Sequence, residues 1–162
     1  AIESSDKMYF TYGRIEGRLR TTPHVGNFPA FWLMPQDNSA GWPNAGEIDI
    51  WEQIDTENKT YHTVHTHCTY DLHLGLPNSG SAYTNAADYH VITLDWTPEL
   101  LTWYVDGTKA FSYAKTSTRT PQSHASTRLT PMIFGISAIR LKRQPQDRMD
   151  QPIPSPTITV TI

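Results

Sequence analysis

Between Tyr9 and Arg20 the chain alternates: Phe10, Tyr12, Arg14, Glu16, Arg18 and Arg20 fall on one parity, Tyr9, Ile15 and Leu19 on the other. Successive side chains of a strand point to opposite faces, so a period of two marks a half-buried β-strand. The same character recurs in short runs broken by turn residues. Pro23 to Asn27 interrupts the first run, and Phe28 to Met34 is a dense apolar segment suited to a buried strand. Gln36 to Ala45 reads as loop and Gly46 to Gln53 as strand. Thr60 to Tyr70 is a further strand candidate, and Gly75 to Ala87 reads as loop around Pro77-Asn78-Ser79-Gly80. Tyr89 to Trp96 and Leu101 to Tyr104 form a strand pair around Thr97-Pro98-Glu99, and Asp106-Gly107 is a strong hairpin signal before Lys109 to Tyr113. No amphipathic helix of useful length and no repeat is present. The expectation is an all-β sandwich or barrel.

Beyond about Lys115 the character changes. Thr116 to Arg128 is polar and rich in Ser and Thr, and Leu141 to Pro156 mixes basic residues with prolines, which disfavour a central strand. Met132 to Ile139 and Thr157 to Ile162 are the strand candidates there. The length of 162 residues suits one domain with a sizeable core, and 38% hydrophobic against 18% charged residues is a globular composition.

A net charge of −3 offers no basic surface for nucleic acid. Cys68, the lone cysteine, excludes a disulfide within the chain. No apolar run approaches the ~20 residues of a membrane helix. Ala1 to Lys7 lacks the pattern of a signal peptide. Trp and Tyr, 5 and 8 residues, outnumber the 5 Phe, and such rings suit both core walls and sugar faces.

The chemically informative segment is Gly46-Glu47-Ile48-Asp49-Ile50-Trp51-Glu52. On a regular strand Glu47 and Asp49 share a face and Glu52 takes the other. A β-bulge between Asp49 and Glu52 adds one residue and returns Glu52 to the face of Glu47 and Asp49, with Ile48 turned into the core. Three carboxylates on one face repel, so one must stay protonated near neutral pH. Glycoside hydrolysis uses such a set: an ionised carboxylate attacks the anomeric carbon while a protonated one supplies the leaving oxygen. Retaining enzymes hold that pair ~5–5.5 Å apart. Asp49, between the two, is expected to hydrogen-bond Glu47. The plainer alternative is a solvated acidic sheet face.

The segment resembles the active-site signature of glycoside hydrolase family 16, in the bulged form of laminarinase-like enzymes. Tyr12-Gly13-Arg14-Ile15-Glu16-Gly17-Arg18, Phe28-Pro29-Ala30-Phe31-Trp32-Leu33-Met34-Pro35, Gly41-Trp42-Pro43, Tyr89-His90, Asp95-Trp96-Thr97-Pro98-Glu99 and Trp103-Tyr104-Val105-Asp106-Gly107 are similar to family segments in the same order. The resemblance spans about Met8 to Lys115. It implies a β-jelly-roll of antiparallel sheets with a concave cleft, short of N-terminal strands and divergent over 116–162. It implies Glu47 as nucleophile, Glu52 as acid/base and Asp49 as the assisting carboxylate. Trp32, Trp42 and Trp96 would stack on sugar, and His65 would reach the acid/base or a bound sugar, although a packed sheet histidine is an equal reading.

His62, His65, His67 and Cys68 form the one metal-like cluster, and strand alternation divides them between two faces, so no metal site is expected. No cofactor is implied. Arg140-Leu141-Lys142-Arg143 reads as solvated surface. The expected function is a monomeric retaining endo-β-glucanase acting on β-1,3 or mixed β-1,3/1,4 glucan outside the cytoplasm, in a secreted, periplasmic or cell-surface setting. The alternatives are hydrolysis of an agarose-, carrageenan- or porphyran-type polysaccharide, and a non-catalytic carbohydrate-binding jelly-roll.

Overall fold

The computed structural model describes residues 2–115, 132–137 and 157–161. In chain order the elements are β1 (Ile2–Glu3), β2 (Gly13–Leu19), β3 (Ala30–Pro35), β4 (Glu47–Glu52), β5 (Lys59–His65), α1 (His67–Tyr70), β6 (Ser79–Tyr83), β7 (His90–Trp96), β8 (Leu100–Val105), β9 (Thr108–Ala114), β10 (Met132–Ser137) and β11 (Thr157–Thr161). They form two sheets. One has the order β1-β10-β3-β4-β5-β6, the other β11-β2-β7-β8-β9. Neighbours pair antiparallel except β11, which runs parallel to β2.

The alternation read from the sequence is what builds the core. In β2, Ile15 and Leu19 are buried while Arg14 and Arg18 face solvent. Phe31, Leu33, Ile48 and Val64 from the six-stranded sheet pack against Ile15, Ile92, Leu94 and Trp103 from the five-stranded sheet. That shared layer is the dominant favourable term holding the two sheets together. The opposite face of the six-stranded sheet carries partly exposed side chains, Trp32, Glu47, Glu52 and His65 among them, and β4 lies inside that sheet between β3 and β5. The Asp106-Gly107 hairpin forms as expected. Both residues have positive φ, 49° and 77°, as a two-residue turn of this kind requires. Asp106 also accepts a hydrogen bond from the Val91 amide at 2.8 Å, which ties the turn to β7.

Three elements depart from the sequence reading. The strand expected over Thr60 to Tyr70 ends at His65, where Thr66 caps the helical turn α1. The Thr66 hydroxyl accepts from the Thr69 amide, and the Thr69 hydroxyl accepts from the Thr66 amide, a reciprocal capping box. His67 therefore leaves the strand and pairs with Asp71 at 2.7 Å. The loop expected over Gly75 to Ala87 contains β6, the last strand on that side of the sheet among the described residues, whose Ser-Gly-Ser-Ala-Tyr carries no run of large apolar side chains. The short strand β1, beside β10, was outside the expectation. The polar segment 116–128, the basic cluster 140–143 and the proline-containing stretch 141–156 lie outside the described residues.

Candidate active site

The ladder between β4 and β5 settles the geometry of the three carboxylates. Glu47 pairs with His65, Asp49 with Thr63 and Glu52 with Tyr61. The partners step by two along β5 and so share one face. Two residues of β4, Ile50 and Trp51, stand opposite the single residue His62. On the β3 side Trp32 pairs with Asp49 and Phe31 with Trp51, leaving Ile50 as the inserted residue. This is the expected bulge, and it places Glu47, Asp49 and Glu52 together on the open face. Ile48 and Ile50 are fully buried on the other side.

Each carboxylate has a different environment. Glu47 Oε2 accepts a hydrogen bond from Trp42 Nε1 at 2.6 Å. Burial, then the neighbouring Asp49 charge, raise the Glu47 pKa, while the Trp42 donor and His65 oppose the rise. Glu47 thus takes its hydrogen bond from Trp42 and not, as expected, from Asp49. Asp49 is buried and pairs with His65, whose Nε2 lies 3.2 Å from Asp49 Oδ2. That carboxylate holds the His65 pKa above its ordinary value against the effect of burial, with Glu47 and Glu52 adding to it. Glu52 is pushed up to about 7, first by burial and then by the charge of Asp49. Its Oε2 accepts from the Thr63 hydroxyl at 3.5 Å, and that hydroxyl also meets Ser79 Oγ at 3.1 Å. One half-buried carboxyl that stays protonated near neutral pH therefore stands on the same face as one held by an N–H donor. Such a set can donate a proton and attack in one step.

The aromatic residues divide. Trp42 is 45% exposed and its ring makes an edge contact with Tyr70, at 4.6 Å between centroids. His65 lies 5.7 Å from Trp42 and 6.4 Å from Tyr70, so the three rings form one wall beside Glu47. Trp32 sits half-buried on the open face at the position paired with Asp49. Trp96 is different. It is 2% exposed, inside the core, with Phe10 and Tyr12 edge-on against it. A ring enclosed this way has no open face for a sugar, which corrects the stacking role expected of it.

Tyr70 and Thr63 were missed in the sequence. Thr63 had a signal, since it pairs with Asp49 once the bulge is assumed. Tyr70 reaches the site only because α1 turns the chain after His65. Among the described residues no three His, Cys, Asp or Glu side chains are grouped to hold a metal ion.

The family model described as Glycosyl hydrolases family 16 matches residues 1–148, past the end of the resemblance read from the sequence. A keratan-sulfate endo-1,4-beta-galactosidase of Sphingobacterium multivorum is 36% identical over 118 residues, covering 72% of this chain and 28% of that protein. A beta-glucanase of Rhodothermus marinus is also 36% identical, over 123 residues, covering 72% of this chain and 43% of that protein. The crystal structure of the laminarinase from Rhodothermus marinus superimposes with a TM-score of 0.70 at 30% identity, over 82% of this chain and 55% of that one. The chain thus spans about half the length of these proteins or less.

Proposed function

This chain belongs to glycosyl hydrolase family 16, and on that premise we propose that it is a retaining endo-β-glucanase acting on β-1,3 or mixed β-1,3/1,4 glucan. The observation that carries the reading is the shared face of Glu47, Asp49 and Glu52, with Glu52 pushed up to about 7. In the first step the Glu47 carboxylate attacks the anomeric carbon. The bond to the leaving oxygen breaks as Glu52 gives that oxygen its proton, and a glycosyl ester forms on Glu47. In the second step Glu52, now a carboxylate, takes a proton from water, which attacks the same carbon and frees Glu47. Asp49, paired with His65, keeps negative charge between the two and so favours the proton on Glu52. Trp42 and Trp32 would offer ring surface to the sugars, and Tyr70 extends the wall that Trp42 begins. A polymeric substrate fits a location outside the cytoplasm.

The relative of Sphingobacterium multivorum, named for keratan sulfate, supports a second substrate class at equal identity. Reducing-sugar release from laminarin, lichenan, agarose and keratan sulfate separates the two. Release from laminarin or lichenan is expected, with the new reducing end appearing first as the β-anomer by proton NMR. Release from keratan sulfate alone would transfer the assignment to the second class. Binding without release would leave a carbohydrate-binding module. Glu47→Gln is expected to abolish turnover and spare binding, and retained turnover removes Glu47 from the nucleophile role.

A further inference from the structure

The reactive face depends on one irregularity. Past Ile50 the parity of β4 reverses, and a regular ladder would carry Glu52 to the interior face. What holds the bulge therefore decides where Glu52 points. Two buried side chains grip its backbone from inside the sandwich. His62, opposite the bulge and 0% exposed, brings Nδ1 within 2.8 Å of the Ile50 carbonyl oxygen. A carbonyl only accepts, so Nδ1 carries the proton. The other ring nitrogen, Nε2, then accepts from the buried Thr60 hydroxyl at 3.2 Å. The donor order is fixed: Thr60 to His62 to Ile50. Burial pulls the His62 pKa down to about 4, so the ring stays neutral and this order does not change across the neutral range. From the other sheet, Trp103 Nε1 donates to the Asp49 carbonyl at 3.0 Å, one residue before the insertion.

We infer that His62, oriented by Thr60 and seconded by Trp103, is a positioning residue for Glu52: it captures the carbonyl of the inserted residue and so prevents the bulge from sliding along β4 or annealing into regular pairing. The inference rests on the reading of Glu52 as acid/base. Because His62 and Trp103 are enclosed in the interior, they act on the chemistry only through the backbone that carries the carboxylates. A histidine that merely satisfied itself in the core would affect stability and nothing else.

The test uses the full chain. His62→Leu removes the donor and keeps apolar bulk, and His62→Asn restores an N–H close to where Nδ1 stood. Turnover is compared on laminarin and on a dinitrophenyl laminaribioside, whose leaving group departs without a proton. The expected result for His62→Leu is a fall in kcat on laminarin of about tenfold to a hundredfold with KM little changed, because proton donation is the function lost. Release of the dinitrophenyl group in the first turnover is expected to stay near the parent rate, and His62→Asn is expected to recover most of the loss. Parent-like kcat for His62→Leu, equal losses for Leu and Asn, or equal losses on both substrates would overturn the inference. If His62→Leu does not fold, Trp103→Phe carries the same comparison, with the same selective loss expected. Glu52→Gln, measured in parallel, separates the failures. If Glu52→Gln itself turns over laminarin, the acid/base reading falls; if it is dead on laminarin while His62→Leu is parent-like, only the positioning role falls.

Discussion

Glu52 and Glu47 are set apart by a few atoms of surroundings, and pH should expose the difference. An unfolded Glu52 titrates near 4.5 and the folded one near about 7. Below pH 4.5 both states hold the proton and its contribution to stability is complete. Between 4.5 and about 7 the unfolded chain releases the proton while the folded chain keeps it, so stability falls with rising pH and levels off above about 7. Glu52→Gln has no such proton to lose. Melting curves should show the Gln variant gaining on the parent at pH 8 and not at pH 4; an equal difference at both would contradict the raised pKa. The alkaline limb of kcat/KM should likewise lie near about 7. Trp42→Phe removes the N–H held by Glu47, the one contact that most favours its ionised form. The acid limb of the same profile should then move to higher pH, and an unmoved limb would show that the Trp42 donor does not tune Glu47. These carboxylates were legible in the sequence because acidic residues inside an apolar strand are costly to leave unpaired. Trp96 was not, since the same ring serves a core or a sugar and only burial distinguishes them.

At the scale of elements, what could be read was whatever advertised itself by period or turn chemistry. The β8–β9 hairpin announced itself through Asp106-Gly107, and β2 through its alternating charges. The strand β6 did not, because Gly80 has no side chain to place in a pattern. Its reason is steric: a Cβ there would stand 2.7 Å or less from Phe111 Cβ, Cγ and Cδ2 on β9. The bare backbone is what lets the two sheets approach at that corner. Gly80→Ala should cost about 1–3 kcal/mol, the range for forcing extra volume into a filled space. Chemical denaturation would check it, and a change in unfolding free energy of less than about a few tenths of a kcal/mol would mean that Phe111 moves aside freely. α1 escaped notice for the opposite reason: its capping box is local, but four residues leave no period to detect.

Across the whole molecule, the sandwich is held by one apolar layer that both sheets share, to which β3 contributes the fully buried Phe31 and β8 the fully buried Trp103. Phe31→Ala should destabilise the fold by about 3–5 kcal/mol, through lost burial and the cavity left behind. Because both sheets border that cavity, circular dichroism and tryptophan fluorescence should report a single, lowered transition; two separate ones would show that the sheets fold independently. The two-sheet architecture was legible in outline because the strands, turns and acidic segment agree with one another, even where β1, α1 and β6 escaped.

The interior position of β4 also has a consequence for how the molecule fails. Its backbone is paired on both flanks, by β3 and by β5, whereas among the described residues β6 is paired on one. Deuterium should therefore reach the β4 amides last, through global opening, while β6 exchanges through local fraying. On warming, the outer strands loosen first and the carboxylates last. The contact between Ser79 on β6 and the Thr63 hydroxyl would then be lost before the strand that carries Glu47, Asp49 and Glu52 gives way, so the side-chain support of Glu52 would fail ahead of its backbone.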